Sequence, residues 1–191
     1  ASFLSEPVQV EEIYVYMQTN YGTSVTPFYT TLALWVGGIV LVALMKVKVD
    51  YEDDEFKDAT EHQKYMGRAL LFLAMGQLQA LVVVLGDLYI LKIDCTHPFM
   101  LWLAAAITSF VFTLFIYTLV LTFGDLGKAI AVVMIVLQIA GSGGTYPIEL
   151  LPEFFQNVYL YFPFPYAINA MREAISGLYQ CDYAVFLVKL C

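Results

Sequence analysis

The sequence predicts an all-α membrane protein, a polytopic bundle of transmembrane helices with two short helices at one end. Of its residues 60% are hydrophobic and only 14% charged, whereas soluble domains carry about 25% charged residues. Four apolar runs reach or approach the roughly 20 residues that a helix needs to cross a hydrocarbon core of about 30 Å. Glycines and prolines then separate these runs from a segment whose helical periodicity is too short to cross.

Phe28 to Met45 is uncharged and stops at Lys46. Ala69 to Leu91 holds one charge, Asp87, near its far end, and Phe99 to Phe123 holds none. The fourth run, Ala129 to about Ser142, is short unless the helix continues through the glycines to Tyr146. A fifth starts near Tyr183, with Lys189 placed as an interfacial, snorkelling lysine. The expected spans are therefore 28–45, 69–91, 99–123 and 128–146, with another beginning over 183–191 and residues 1–27 as the end of an extracellular region. The opening ASFLSEPVQV has no initiating Met and no basic n-region, so it does not read as a signal peptide. It reads as the inside of a longer protein.

Basic residues in short loops set orientation. Lys46, Lys48, Lys57, Lys64 and Arg68 lie between the first two runs and Lys128 between the third and fourth, whereas Lys92 and Arg172 fall on the other side. The expectation is a cell-membrane protein with 46–68 cytoplasmic and both 1–27 and 147–182 extracellular. Within 46–68, Thr60 followed three positions later by Gln63 is a capping-box pattern. It predicts a short helix through Lys64 and Met66, stopped at Gly67. Two readings stand for this loop: a solvated connector, or a docking helix for a cytoplasmic partner.

After Gly141, Gly143, Gly144 and Pro147, apolar residues recur at helical spacing from Leu150 to Phe162, with Pro152 suited to a first turn. A break is expected at Pro163 to Pro165. A second helix over 165–177 then places Ile168, Met171 and Ile175 on one face and Asn169, Arg172, Glu173 and Ser176 on the other, with Gly177 as the stop. Non-helical backbone at membrane depth is tolerated only inside protein or beside a wet cavity. The pair is thus either a re-entrant hairpin capping the bundle or two helices lying flat at the interface.

A net charge of −8 with no basic patch excludes nucleic acid as a partner. His62 and His97 fall on opposite sides under this topology, so they share no metal, and no phosphate-binding loop or nucleophile motif is present. Neither enzyme activity nor a cofactor is expected. Polar residues within spans face the bundle interior or a cavity; Gln77, Asp87 and Gln138 are the leading examples, as interhelical glue or as lining of a path. Gly37, Gly38, Gly76 and Ala80 are close-packing positions. Cys95 and Cys181 both fall outside, so a disulfide and two free thiols are both open readings.

The stretch GSGGTYPIELLPEFFQNVYLYFPFPYAINAMREAISGLY, with SEP and NYGT ahead of LWVGG, resembles the membrane domain of the phage infection protein (YhgE/Pip) family, within the type-2 ABC exporter permease superfamily. The resemblance covers essentially the whole chain. It implies one span and a large extracellular domain before five further spans, the last two flanking the short helices. It maps the superfamily's proline, aromatic helix, P-x-x-Y and late Arg onto Pro152, Pro163, Tyr166 and Arg172. It further implies a homodimer in the lipid bilayer and a coupling role for Thr60, Gln63, Lys64 and Met66 against a separate cytoplasmic ATPase. Two functions follow as expectations. One is a permease-like subunit moving a hydrophobic or envelope-related substrate outward; the other is a non-transporting anchor that presents the ectodomain to a phage protein or a secretion machine.

Overall fold

A computed structural model describes residues 21–47, 60–143, 150–178 and 182–191. Every regular element among them is helical: α1 Tyr21–Leu44, α2 Glu61–Leu85 continuing into a π-helical turn Gly86–Ile90, α3 Pro98–Phe123, α4 Asp125–Gly141, α5 Glu153–Val158, α6 Pro163–Ser176 and α7 Asp182–Leu190. Three helical stretches, Tyr21–Leu44, His62–Ile90 and Pro98–Phe123, are long and apolar enough to cross a membrane. Helices α1 to α4 alternate in direction. We call the end with Tyr21 and Leu91 the upper end, and the end with Leu44, Thr60 and Gly124 the lower.

Helix α1 starts seven residues ahead of Phe28 and passes through Pro27, which the sequence reading had left outside. A proline inside a helix removes one N–H bond and crowds the preceding turn. Pro27 is itself buried, and its carbonyl accepts the Thr31 hydroxyl at 2.7 Å. Packing on that face holds a helix that isolated propensity would have ended.

The capping box at Thr60 is present in both halves: the Gln63 N–H donates to Thr60 Oγ1 at 3.4 Å and the Thr60 N–H to Gln63 Oε1 at 2.9 Å. The stop expected at Gly67 does not occur. No separate short helix exists, because Thr60 caps a single helix of 25 residues. A glycine in a helix interior costs only about 1 kcal/mol, too little to end a helix held by the packing of the turns above it.

Between α3 and α4 the chain reverses at Gly124 alone, with φ +61°, ψ −131°, a conformation open to glycine. The two helices then lie so close that a Cβ on Gly127 would sit 2.5 Å from the Leu119 carbonyl oxygen. Helix α4 does not run on to Tyr146: it ends at Gly141, and Gly143 takes φ +63°. With 17 residues it is about 25 Å long, the shortest of the first four.

The segment after Pro152 also departs from expectation. Its first helix shrinks to Glu153–Val158 with a 3₁₀ turn Tyr159–Tyr161, and the break falls at Phe162 rather than across Pro163 to Pro165. Phe162 is extended at φ −87°, ψ 138°, and both prolines belong to the first turn of α6, where no N–H is required. The two helices also differ in burial. Helix α5 buries no residue, while α6 buries Phe164, Ile168, Met171 and Ile175. Glu173, expected on a polar outer face, is fully buried.

Trp35 is the hub of the core and is completely buried. Its indole packs edge-on against Phe112 of α3 at 4.9 Å and Phe164 of α6 at 5.6 Å, and its Nε1–H donates to the Ala131 carbonyl of α4 at 3.2 Å. One side chain thus ties four helices together, as an aromatic body with a satisfied polar tip.

Two helical glycines make opposite predictions. Gly127→Ala drives a methyl into the α3 backbone and should destabilise by about 1–3 kcal/mol, whereas Gly67→Ala meets nothing within 4 Å and should stabilise by up to about 1 kcal/mol. Thermal unfolding in detergent micelles reads both; equal shifts would contradict this packing.

Candidate functional site

The most unusual element is α6, a 14-residue helix packed against the much longer α1 and α3. Helix ends leave four N–H and four C=O groups without internal partners. At the N-terminus of α6 these donors belong to residues 162 to 165. The Phe162 N–H donates to the Tyr159 carbonyl at 3.3 Å, and Pro163 and Pro165 have no N–H at all. Only Phe164 is left. At the other end the Glu173 carbonyl accepts from the Gly177 N–H, Ala174 from the His97 N–H and Ile175 from the Thr96 N–H, each at 3.0 Å. The Thr96 hydroxyl adds a bond to Ile175 at 2.9 Å and the Cys95 thiol one to Ala174 at 3.6 Å. The connection ahead of α3 therefore caps α6, and most of the end groups of a half-length helix are removed or paired inside protein.

Around α6, Met171 accepts from the Thr31 hydroxyl at 3.7 Å, Arg172 donates to Asn169 Oδ1 at 3.2 Å, and the Tyr166 hydroxyl donates to the Leu160 carbonyl at 2.7 Å. The Lys189 ammonium lies 6.0 Å from the Tyr166 ring centroid. Gly141, at the top of α4, faces the Phe155 and Phe162 rings, with 3.0 Å between a Cβ placed there and Phe155 Cδ1. The exposed helix α5 is thereby held at the upper end. Gly144, Pro147 and Cys181 lie outside the described residues. Cys95 carries a free thiol, which burial pushes above its usual pKa and so makes a poor nucleophile near neutral pH.

The intramembrane polar residues divide. Gln77 donates to the Ala106 carbonyl at 3.0 Å and Gln79 to the Ala33 carbonyl at 2.9 Å, so both tie helices together. The Ser109 hydroxyl does the same with the Gly76 carbonyl at 2.7 Å. Gln77 and Gln138 are not brought together. Gln138 is fully buried, and neither its amide nitrogen nor its oxygen has a hydrogen-bond partner. Asp87 is almost completely buried in the π-helical turn and accepts a 2.6 Å hydrogen bond from Thr30.

At the lower end, the Tyr65 hydroxyl bonds to Thr118 Oγ1 at 2.8 Å and the Tyr117 hydroxyl donates to the Tyr65 carbonyl at 3.2 Å. The first turns of α2 are thus fixed to α3 while Gln63 and Met66 stay exposed. Beside them, a cavity of about 370 Å³ is walled by Val42, Met45, Val47 and Val120, with Lys46, Asp125 and Lys128 also lining it. Lys128 bonds to Asp125 at 2.9 Å and holds that carboxyl below the usual range. Sequence reasoning missed Trp35, the Tyr65–Tyr117 clasp and the capping of α6 by Thr96 and His97. Only Trp35 left a signal, as a lone indole in an otherwise aliphatic run.

These features define a helical membrane protein with a half-length helix in its core. The family described as "ABC-2 family transporter protein" matches residues 60–187, and the chain belongs to it. Among curated proteins it is 31% identical over 173 residues to "Uncharacterized protein YhgE" of Bacillus subtilis (strain 168), covering 91% of this chain and 22% of that protein. The chain therefore spans about a fifth of the length of the relative it matches. No solved structure matches. The family is one of transporter membrane components, not of catalytic enzymes.

Pro165→Ala restores an N–H to a buried helix start. Although alanine is the better helix former, this variant should lose about 1–3 kcal/mol, the cost of an unsatisfied buried donor. Thr96→Val, which removes one bond to Ile175, should lose about 1 kcal/mol. Denaturant titration in micelles checks both, and a stabilised Pro165→Ala would contradict the account of α6.

Proposed function

We propose that this chain forms the permease part of an outward exporter in the cell membrane, with the lower end in the cytosol and the upper end outside. The observation that carries the proposal is α6, packed among α1, α3 and α7 with its start stripped of two donors by Pro163 and Pro165 and its end capped by Thr96 and His97. A helix built this way is a re-entrant element, the kind of irregular backbone that a membrane protein keeps where it lines a path. A hydrophobic or envelope-related substrate suits a bundle whose interior is mostly apolar and aromatic. The apolar faces left exposed on α2 (Leu70, Leu78, Val82) and α4 (Val132, Val133, Val136) serve lipid and a second copy in a homodimer.

A separate cytoplasmic ATPase, usual for the family, would dock on the first turns of α2 around Thr60, Gln63, Lys64 and Met66. Met66 is 52% exposed there, and Tyr65 links those turns to Thr118 and Tyr117. A push on this end of α2 would therefore reach α3 directly. The contrasting reading, an anchor that presents a larger ectodomain to a phage protein or secretion machine, is favoured by the chain's covering only 22% of its relative.

A photo-crosslinking residue at Met66 separates the two. The permease reading predicts a crosslink to an ATP-binding protein in intact cells, and none from the same residue at Leu160 on the upper end. An anchor would give neither, and its deletion would leave envelope export unchanged.

A further inference from the structure

We infer that Asp87 is a proton-binding site that exchanges with water at the upper end of the bundle, through the threonine-lined pocket beside Leu91 to Ile93. Asp87 retains 7% of its surface. Thr30 donates to its Oδ2 at 2.6 Å, and no lysine or arginine pairs with it among the described residues. An acid in a spanning helix without a counter-cation is an expensive feature that marks proton or ion pathways.

Three further features converge on it. Thr23, Thr26 and Thr30 lie at i, i+3 and i+7 on one face of α1, all buried, and Thr30 donates to the Asp87 carboxyl. The upper two line a pocket of about 110 Å³ with Gly22, Leu91, Lys92 and Ile93. At about 30 Å³ per molecule it has room for roughly three waters. The Ile93 N–H donates to the Asp87 carbonyl at 3.3 Å, so pocket wall and acid share one stretch of backbone. That stretch is irregular: the π-helical turn Gly86–Ile90 carries Asp87, and Lys92 is held at φ +50°. Single π turns and left-handed non-glycine residues concentrate at functional sites.

The chemistry selects a proton over a metal ion. Hard cations need six or more oxygen ligands. Here there is one carboxyl, the Thr30 hydroxyl donates to it, the Thr26 hydroxyl donates to the Gly22 carbonyl, and a lysine stands in the pocket wall. The other ionisable side chains toward this end are Tyr21 and Tyr29 on α1, Tyr89 on the same turn, Lys92, Asp94, Cys95 and His97 in the connection, Arg172 and Glu173 on α6, and Asp182 and Tyr183 at the start of α7. None of them hydrogen-bonds to the Asp87 carboxyl. The site requires no transport, so it stands or falls apart from the export reading.

The test is infrared difference spectroscopy of the protein in lipid vesicles of uniform orientation, with a pH step applied to one side at a time. A carboxylic-acid band should respond to the upper-side step, be lost in Asp87→Asn, shift its midpoint in Thr30→Val and recover it in Thr30→Ser. If Asp87→Asn fails to insert, Thr23→Val with Thr26→Val should still slow the response severalfold. A band responding only from the lower side would overturn the inferred pocket route. A band that responds from neither side, or persists in Asp87→Asn, would overturn the site itself.

Discussion

The constraint on which this structure turns is the backbone of α6. A helix of 14 residues is about 21 Å long, too short to bring both ends to water across a bilayer. Placed inside protein, it must find partners for its unpaired donors and acceptors, each costing about 1–3 kcal/mol if left bare. The chain solves the two ends differently. At the start it deletes donors, through Pro163 and Pro165, and pairs Phe162 with Tyr159. At the finish it borrows donors from Thr96 and His97, whose N–H groups meet Ala174 and Ile175.

The rest of the bundle follows from seating that helix. Phe164 reaches the Trp35 indole, stacked on Phe112 at 5.4 Å, and Trp35 in turn binds the Ala131 carbonyl. Helix α4 can therefore stop at Gly141, since α5 and the Phe162 turn cover its top. The reversal at Gly124 and the close approach at Gly127 hold α3 and α4 as a rigid pair at the lower end. Stability in such a protein comes from close packing and interhelical bonds, because lipid provides little hydrophobic drive for helix association. The Gln77, Gln79 and Ser109 bonds to backbone carbonyls of neighbouring helices are of this kind.

Much of this was legible in the sequence. The apolar runs gave α1, α2 and α3 to within a few residues at most of their ends, because desolvation in lipid leaves a helix no alternative. The Thr60–Gln63 box was readable because capping is local chemistry. Where local rules competed with packing, packing won: Pro27 and Gly67, both breakers in water, sit inside continuous helices. The face of α6 was misread at Glu173 because periodicity shows which side is polar, not what covers it. The strap from Thr96 and His97 to α6 joins residues about 80 apart in sequence, and no single-sequence pattern announces such a pairing.

The inserted position of α6 is tested most directly by crosslinking Thr31→Cys with Met171→Cys in membranes, since the native side chains meet at 3.7 Å. The account predicts rapid intramolecular bridging by a short thiol-specific linker, and slow reaction of either single variant with a water-soluble maleimide. Fast labelling at position 171 with no bridge to position 31 would place α6 flat on the surface and contradict it.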